Sequence, residues 1–301
     1  MAAVVTKPHF LTDQQIANFD RDGFLLLRKH VTGGLLARLQ EAGTDWIANG
    51  LAADAEHPER ADFIFAPRPT GQVFFRVDYL HTKGHIASLE LLGCPQVLAV
   101  AESLCGRNFV PTYESMVFKN EGDGEAIRWH QDAVHPRKHR LFNYDLYLDE
   151  SRAGAGALHV IPGSQGGNLS ACDFERTHGW DHPNAIQVEM EPGDALLHDV
   201  MVVHGSPRVT GNKLRRTIYY EFRAAEQILS EGPWDRSWLE KRMRMIPIGQ
   251  QAFHSQFPSE VEFDWSPSPE FRQDVSNDVD TELRIVHTAH TPGSYCSASS
   301  A

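Results

Sequence analysis

The stretch IRWHQDAVH, residues 127–135, follows the glycine-containing turn NEGDGEA. In an extended chain, residues two apart point the same way, so His130 and Asp132 can converge on one point while Gln131 faces elsewhere. An imidazole and a carboxylate placed in this way make up two-thirds of a facial triad for iron, whose third ligand must come from a distant strand. The pair alone is a weak signal, because it occurs by chance in many chains and is also typical of a polar surface turn.

Candidates for the third ligand lie in DALLHDVMVVHGS, residues 194–206. His204 stands near the end of a predicted strand, whereas His198 lies six residues earlier with the same strand parity, so alternation does not exclude it. Two histidines and one carboxylate leave three positions of iron(II) open, while a zinc site is more often tetrahedral and richer in His or Cys. We interpret the other nearby histidines as solvated or hydrogen-bonded: His135, His139, His159 and His178.

Length and composition narrow the class of protein. The 301 residues, 41% hydrophobic and 23% charged, are typical of a soluble globular chain, and the formal net charge of -12 argues against nucleic acid or an anionic membrane as a partner. Apolar runs fall short of the ~20 residues of a membrane helix, and MAAVVTKPHF lacks the apolar core of a signal peptide. Four cysteines without ligand-like spacing favour reduced thiols. We therefore expect a cytosolic protein; its oligomeric state is not predicted.

The residue patterns along the sequence predict one domain, residues 1–301, with three parts. About 1–108 is mainly helical, with Thr12 capping a first helix that stops at Gly23, a short strand FLLLR, and a later helix from Pro95. Residues 109–225 hold short β-branched runs between Gly, Pro, Asn and Asp turns, which indicates an antiparallel sandwich or barrel. Residues 226–301 are expected to form a helical lid and a flexible tail. The fold class is thus mainly β with flanking helices.

Four stretches resemble the phytanoyl-CoA dioxygenase-like family of iron(II)/2-oxoglutarate oxygenases. They are LTDQQIANFDRDGFLLL (11–27), WHQD (129–132), GALHVIPGSQ (156–165) and PGDALLHDVMVVHGSPRVTGNKLRRTIYYEFR (192–223). The resemblance implies a double-stranded β-helix, or jelly-roll, with iron held by His130, Asp132 and His204. It further implies that Arg215 binds the distal carboxylate of 2-oxoglutarate and that Ser206 and Gln131 contact this cosubstrate.

The choice between two neighbouring arginines tests this resemblance. Strand alternation places Arg216 on the apolar face with Ile218, Tyr220 and Phe222, while Arg215 shares its face with polar residues. Periodicity alone slightly prefers Arg216 as the inward residue, whereas the family spacing, eleven residues past His204, prefers Arg215. We follow the spacing, because an interior that binds a charged cosubstrate need not be the more apolar face.

The reaction that the resemblance implies is hydroxylation or a related oxidation, since a carboxylate is present at Asp132, where halogenating relatives have a small residue. It requires Fe(II), 2-oxoglutarate and O2, with ascorbate as the reductant in vitro, and releases succinate and CO2. The alternatives are a cupin-type metal-dependent isomerase or hydrolase, and a binding module without turnover on the same barrel. The intact set His130, Asp132, His204 and Arg215 argues against the binding module.

The substrate is expected to be a small molecule. The run HPRKHR, residues 135–140, favours an anionic one, although a solvated basic loop explains it equally well. We interpret Trp129 as part of the wall of the site. Candidate pocket residues lie before the His-x-Asp pair and further upstream: Tyr113, Met116, Phe118, Arg76, Tyr79 and His81.

Overall fold

The computed structural model describes residues 9–68, 71–119, 126–135, 138–167, 170–209 and 214–272. Within these ranges the helices are α1 (Asp13–Asp22), α2 (Gly33–Ala52), α3 (Ala87–Leu92), α4 (Pro95–Cys105), α5 (Ala171–His178), α6 (Ala225–Glu231), α7 (Arg236–Met243) and α8 (Met245–Gln256). The strands are β1 (Phe24–Leu27), β2 (Phe63–Arg68), β3 (Gly71–Asp78), β4 (Phe109–Lys119), β5 (Ile127–His130), β6 (Phe142–Tyr147), β7 (Leu158–Val160), β8 (Ile186–Val188), β9 (Ala195–Asp199), β10 (His204–Ser206) and β11 (Arg215–Ala224). The predicted tail lies outside the described residues.

Two antiparallel sheets form the centre of the fold. The large sheet has the order β1, β9, β6, β11, β4, β3, β2, and the small sheet has the order β5, β10, β7, β8. Between them lies a cluster of buried side chains from both sheets, among them Val160, Leu196 and Met190. This architecture confirms the expected class, mainly β with flanking helices and a double-stranded β-helix core.

The helices cover the outer face of the large sheet. Ile218, Tyr220 and Phe222 of β11 belong to one buried cluster with Leu39 and Trp46 of α2. Side chains alternate along a strand, so the odd-numbered residues from Arg215 to Glu221 face the small sheet instead. The apolar face of β11 therefore belongs to the helix-covered core, and the more polar face lines the interior of the barrel.

Local signals explain where the first helix begins and ends. The Thr12 side chain accepts a hydrogen bond from the backbone of Gln15, whose side chain in turn accepts one from the Thr12 backbone. This reciprocal cap satisfies amide groups that the first helical turn leaves free. At the other end, Gly23 has a left-handed φ of 78°, which glycine adopts without strain. The predicted cap and stop of α1 are confirmed.

One predicted strand is in fact two. The sequence suggested a continuous strand through His198 and His204, but Val200 to Val203 form a turn between β9 and β10. The two strands belong to different sheets, β9 to the large one and β10 to the small one. The prediction that both histidines lie on one strand was wrong, and strand parity cannot compare them.

The N-terminal part contains more strand than expected. In addition to β1, the hairpin of β2 and β3 extends the large sheet beyond β4, although the sequence predicted a mainly helical segment here. At the other end of the described chain, Arg242 of α7 donates to Glu114 at 2.5 Å and to the carbonyl of Pro111 at 2.7 Å. Since Arg242 and Glu114 are both fully buried, this ion pair fixes α7 against β4. Among the described helices, none is long and apolar enough to cross a membrane.

Candidate metal centre

His130, Asp132 and His204 come together where the small sheet meets the loop after β5. Ligand atoms of the three side chains lie within 4.8 Å of one another, and within the described ranges no other group of three or more His, Cys, Asp or Glu residues does so. His130 and His204 are direct partners across β5 and β10. A Cβ atom at Gly205 would lie 3.0 Å from the carbonyl oxygen of Ile127, so glycine after His204 allows this close pairing.

Both histidines present the same ring nitrogen to the centre of the cluster. Nδ1 of His130 lies 2.8 Å from the carbonyl oxygen of Arg128, and Nδ1 of His204 lies 2.9 Å from that of Val202. Because a carbonyl oxygen only accepts, each Nδ1 carries the hydrogen and each Nε2 keeps its lone pair for a metal ion. The backbone thus orients the two rings for metal binding.

The electrostatics favour the metal-binding forms of these side chains. Burial, and next the neighbouring ring of His130, lower the pKa of His204 to about 3. Burial alone would raise the pKa of Asp132, but the surrounding histidines outweigh it and hold that pKa well below its usual range. A neutral imidazole and an ionised carboxylate are the forms that bind metal ions.

His198 touches this cluster from behind. Its Nε2 lies 3.0 Å from Asp132 Oδ2, and its Nδ1 lies 2.8 Å from Asp145 Oδ2. Burial would lower the pKa of His198, but the carboxylates of Asp145 and Asp132 outweigh it and raise the pKa to about 10. A ring that is protonated at neutral pH has no lone pair for a metal ion, so the structure favours His204 over His198 as the third ligand.

The two arginines at the start of β11 point in opposite directions. Arg216 forms a two-pronged ion pair with Asp149, at 2.8 and 2.9 Å, and donates to the Gln40 carbonyl of α2 at 2.7 Å. Arg215 points into the barrel, where it donates to the carbonyl of Gly156. It also lies near Tyr147, whose pKa is raised by burial and held back by the Arg215 charge. Within the described part of the chain, no carboxylate forms an ion pair with Arg215. Its placement agrees with the family spacing, because the apolar face of β11 is covered by helices.

Sequence reasoning missed Lys119, which lies beside Arg215 and Ser206. Lys119 is the strand partner of Arg215, and its buried Nζ lies 2.5 Å from Ser206 Oγ. The lysine ends β4, and its proximity to β10 and β11 depends on strand register, which spacing along the sequence does not reveal. Lys119, Ser206 and Arg215 thus form a cationic, hydrogen-bonding surface in the interior.

Gln131 faces away from the three metal-ligand candidates. Its side-chain amide donates to the carbonyl oxygens of Met201 at 2.6 Å and Gly167 at 2.8 Å. These bonds connect the loop after β5 to two neighbouring loops. A contact between Gln131 and 2-oxoglutarate therefore stays a prediction.

The predicted substrate-pocket residues divide between the two faces of the large sheet. Met116 and Phe118 were predicted wrongly, because both pack into the helix-side core. His81 is bonded to the buried Glu114 on that same side. Tyr113 and Arg76, in contrast, lie on the inner face.

On that inner face, Tyr113 donates to Asp78 at 2.5 Å, and Arg76 lies 2.9 Å from the same carboxylate. The predicted pocket residue Tyr79 is buried and packs edge-on against the Tyr113 ring. The inner face of β3 and β4 thus carries a hydrogen-bonded set of polar side chains. Tyr113 lies in register with Asn143, two strands away, and the Asn143 amide donates a hydrogen bond to Asp132.

The basic run HPRKHR is only partly described, since residues 136 and 137 fall outside. Arg140 pairs with Asp20 of α1 at 2.7 and 2.8 Å, so its charge is already matched. Lys138, His139 and Arg140 line one side of a cavity of about 520 Å³, together with Cys105 at the end of α4. Lys138 is exposed to solvent.

The donor set fits one class of metal. Two imidazole nitrogens and one carboxylate oxygen are the ligands of the facial triad in non-haem iron(II) oxygenases, whereas structural zinc sites are closed by four protein ligands. A cosubstrate that binds this metal would find the cationic surface of Lys119 and Arg215 in the same interior. The chemistry of the donors therefore fits iron(II) with an anionic cosubstrate.

Comparison with known proteins agrees with this geometry. The chain is 23% identical over 231 residues to ectoine dioxygenase of Sphingopyxis alaskensis, covering 65% of this chain and 70% of that protein. It is 25% identical over 228 residues to methylphosphonate hydroxylase of Gimesia maris, covering 74% and 83%. The crystal structure of EvdMO1 superposes with a TM-score of 0.61 at 26% identity. The match covers 70% of this chain and 50% of the EvdMO1 chain.

The family model described as phytanoyl-CoA dioxygenase (PhyH) matches residues 19–217, which include the three metal-ligand candidates, Ser206 and Arg215. With more than half of its length matched in this way, the chain belongs to the phytanoyl-CoA dioxygenase family and is an iron(II)- and 2-oxoglutarate-dependent dioxygenase.

Proposed function

We propose that this enzyme hydroxylates a C–H bond of a small polar molecule, with 2-oxoglutarate and O2 converted to succinate and CO2. One atom of O2 enters the product and the other enters succinate, so the reaction balances without a further reductant. The proposal rests on two observations taken together. One is the cluster of His130, Asp132 and His204, and the other is the buried Arg215, which forms no ion pair with a carboxylate of the described residues. A charged group in such a position is stabilised when an anion occupies the space beside it.

The residues have separate roles in this proposal. His130, Asp132 and His204 hold the iron, and Arg215 binds the distal carboxylate of 2-oxoglutarate through its fork of N–H donors. Ser206 and Lys119 contribute further hydrogen bonds on the same side. The bound iron supplies the activation of O2 that the protein side chains lack.

The residues around the site keep its ligands in place. Trp129 is fully buried but, as the neighbour of His130 on β5, it lies on the opposite face of the small sheet, where it packs against Trp180 and donates from its ring nitrogen to the carbonyl of Gly179 at 2.8 Å. It therefore supports β5 from behind and does not line the site. Tyr147 and Tyr219 lie close to Arg215, and burial raises the pKa of both hydroxyls. Neutral hydroxyl groups next to the arginine leave its charge available for the cosubstrate.

Two other functions fit the fold less well. A metal-dependent isomerase or hydrolase on this barrel would need neither O2 nor a buried arginine at Arg215. A binding module without turnover would have no reason to keep a charged side chain in the interior at the cost of desolvation. We therefore place both behind the oxygenase.

The relatives support a small-molecule substrate, since they are named for ectoine and methylphosphonate. The polar group of Arg76, Asp78 and Tyr113 on the inner face is our proposed substrate wall. We also place the enzyme in the cytosol; the free thiols of Cys94 and Cys105 support a reducing compartment.

A panel experiment tests the proposed reaction. The enzyme with Fe(II), ascorbate and 2-oxoglutarate is incubated with cyclic amino acids, alkylphosphonates, sugars and acyl-CoA compounds, and succinate release is measured. We expect one class to stimulate succinate release and to gain one oxygen atom by mass spectrometry. A compound that is isomerised or hydrolysed without consumption of O2 would establish the alternative instead.

Lys119→Met is expected to raise the KM for 2-oxoglutarate by about 10-fold, because a hydrogen bond to a charged group contributes roughly 1.5–3 kcal/mol. Methionine keeps most of the length of the side chain and removes its charge. Lys83→Met is the matched control: Lys83 is equally buried but pairs with Asp62 away from the site, at 2.7 Å. Steady-state kinetics should show an unchanged KM in the control. If the KM for 2-oxoglutarate is the same in the wild type and in both variants, Lys119 does not contact the cosubstrate.

The finer part of the proposal is an anionic substrate. Exposed Lys138 supports it, whereas Arg76 and Arg140 do not, since Asp78 and Asp20 already match their charges. We expect the substrate KM to rise with ionic strength, because salt screens attraction between exposed charges.

The double variant Arg137→Gln with Lys138→Gln should also raise the substrate KM and leave the KM for 2-oxoglutarate unchanged. Lys241→Gln, an exposed lysine on α7, serves as the control for the loss of surface charge. A substrate KM that responds neither to salt nor to the double variant would exclude attraction by this loop.

A further inference from the structure

The two oxygens of Asp132 have different surroundings. Oδ1 faces the two histidine ligands, 3.3 Å from His130 Nε2 and 3.7 Å from His204 Nε2. Oδ2 points the other way and accepts hydrogen bonds from Asn143 Nδ2 at 2.9 Å and from His198 Nε2 at 3.0 Å. One oxygen is therefore directed at the metal position, and the other is engaged by the protein.

His198 is itself held in place from the opposite side. Its Nδ1 lies 2.8 Å from Oδ2 of Asp145, and both side chains are almost fully buried. Because carboxylate oxygens only accept, both ring nitrogens donate, and His198 connects Asp145 to Asp132. Asn143 and Asp145 are two residues apart on β6, and Asn143 is the strand partner of His198 on β9, so the large sheet sets this geometry.

We propose that His198, oriented by Asp145, is a positioning residue that keeps Asp132 on the metal through Oδ1 alone. This inference rests on the metal site proposed above. A carboxylate can bind a metal ion with one oxygen or with both, and charge-assisted hydrogen bonds to Oδ2 oppose the second mode. With one oxygen bound, the triad leaves three positions, enough for a chelating 2-oxoglutarate and for O2. With both oxygens of Asp132 bound, only two positions would remain, and the cosubstrate would fill them and leave none for O2.

His198→Leu is expected to have a specific defect. Leucine fills the buried space but donates no hydrogen bond, so Oδ2 keeps only the bond from Asn143 and can turn toward the metal more easily. Iron and 2-oxoglutarate should still bind, while turnover falls. We expect kcat to drop at least ~10-fold with KM for 2-oxoglutarate almost unchanged, in the range typical of losing a residue that orients a metal ligand.

The direct test is structural. Wild type and His198→Leu are crystallised with Co(II), and the Asp132 Oδ2 to metal distance is compared. We expect Oδ2 outside bonding distance in the wild type and at about 2.2 Å in the variant, close to the carboxylate distances of similar metal ions. His198→Gln, whose amide can donate to Oδ2, should restore one-oxygen binding and most of kcat.

Two further variants keep the test decisive. Asp145→Asn retains the shape of the side chain and removes the charge that orients His198, so it should lower kcat in the same way if His198→Leu does not fold. His159→Leu is the control for losing a buried histidine, since His159 packs against Trp129 and Trp180. If His198→Leu and Asp145→Asn leave Asp132 bound by one oxygen and match the control in kcat, the inference is wrong. If the wild type binds no metal at these three residues, the proposed function itself is contradicted.

Discussion

Replacing Asp132 with alanine is expected to weaken iron(II) binding by more than about 100-fold and to abolish succinate release, while the chain stays folded. Asp132 is one of three candidate protein ligands, and loss of a direct ligand should exceed the ~10–100-fold effect of losing a residue behind it. The side chain sits after β5 and is not part of a hydrophobic cluster, so the core is preserved. Anaerobic iron titration and circular dichroism measure the two quantities separately.

Asp181→Ala is the matched control for this variant, because Asp181 is an exposed carboxylate in the loop after α5. It should bind iron and turn over 2-oxoglutarate as the wild type does. An Asp132→Ala protein with near-normal iron affinity and turnover would show that the metal, if one is used, binds elsewhere.

Arg215→Ala and Arg216→Ala are expected to fail in different ways. Removing Arg215 should raise the KM for 2-oxoglutarate by about 30-fold or more, because truncating one partner of a buried charge pair costs roughly 2–5 kcal/mol. Removing Arg216 breaks its ion pair with Asp149 and should lower the free energy of unfolding by about 1–3 kcal/mol, with the KM unchanged. Steady-state kinetics and chemical denaturation of both variants separate the two effects.

Each arginine variant is the control for the other, since both remove the same side chain from adjacent positions of β11. The reverse pattern, with Arg216→Ala raising the KM and Arg215→Ala lowering only stability, would contradict the assignment. It would also mean that the outer face of β11, which contacts α2, forms the cosubstrate pocket.

Regular patterns of the sequence predicted the elements that depend on local chemistry. The bounds of β4 and β11 follow from their β-branched and aromatic runs, and α1 follows from its reciprocal cap. The turn between His198 and His204 could not be predicted, because Val200 to Val203 continue an apolar run and contain neither Gly nor Pro. Here tertiary packing, and not local propensity, separates β9 from β10.

The candidate site was predictable where the ligands have a fixed order along the chain, as for the His-x-Asp pair and the later His-Gly-Ser. Arg215 was the harder choice, since the more apolar face of β11 turned out to contact the helices. Lys119 carried no sequence signal of its own, because its role depends on pairing with Arg215 across two strands. Residues that meet through register need the structure to be found.

The most direct test of the site is an anaerobic absorption titration of the protein with Fe(II) and 2-oxoglutarate. When 2-oxoglutarate chelates iron(II), a charge-transfer band appears that neither component gives alone, and the measurement requires no knowledge of the substrate. We predict this band in the wild type, saturating at one 2-oxoglutarate per chain, and its absence in Asp132→Ala. Absence of the band in iron-loaded wild type, or equal bands in both proteins, would contradict the assignment of His130, Asp132 and His204 as the centre that binds iron and 2-oxoglutarate.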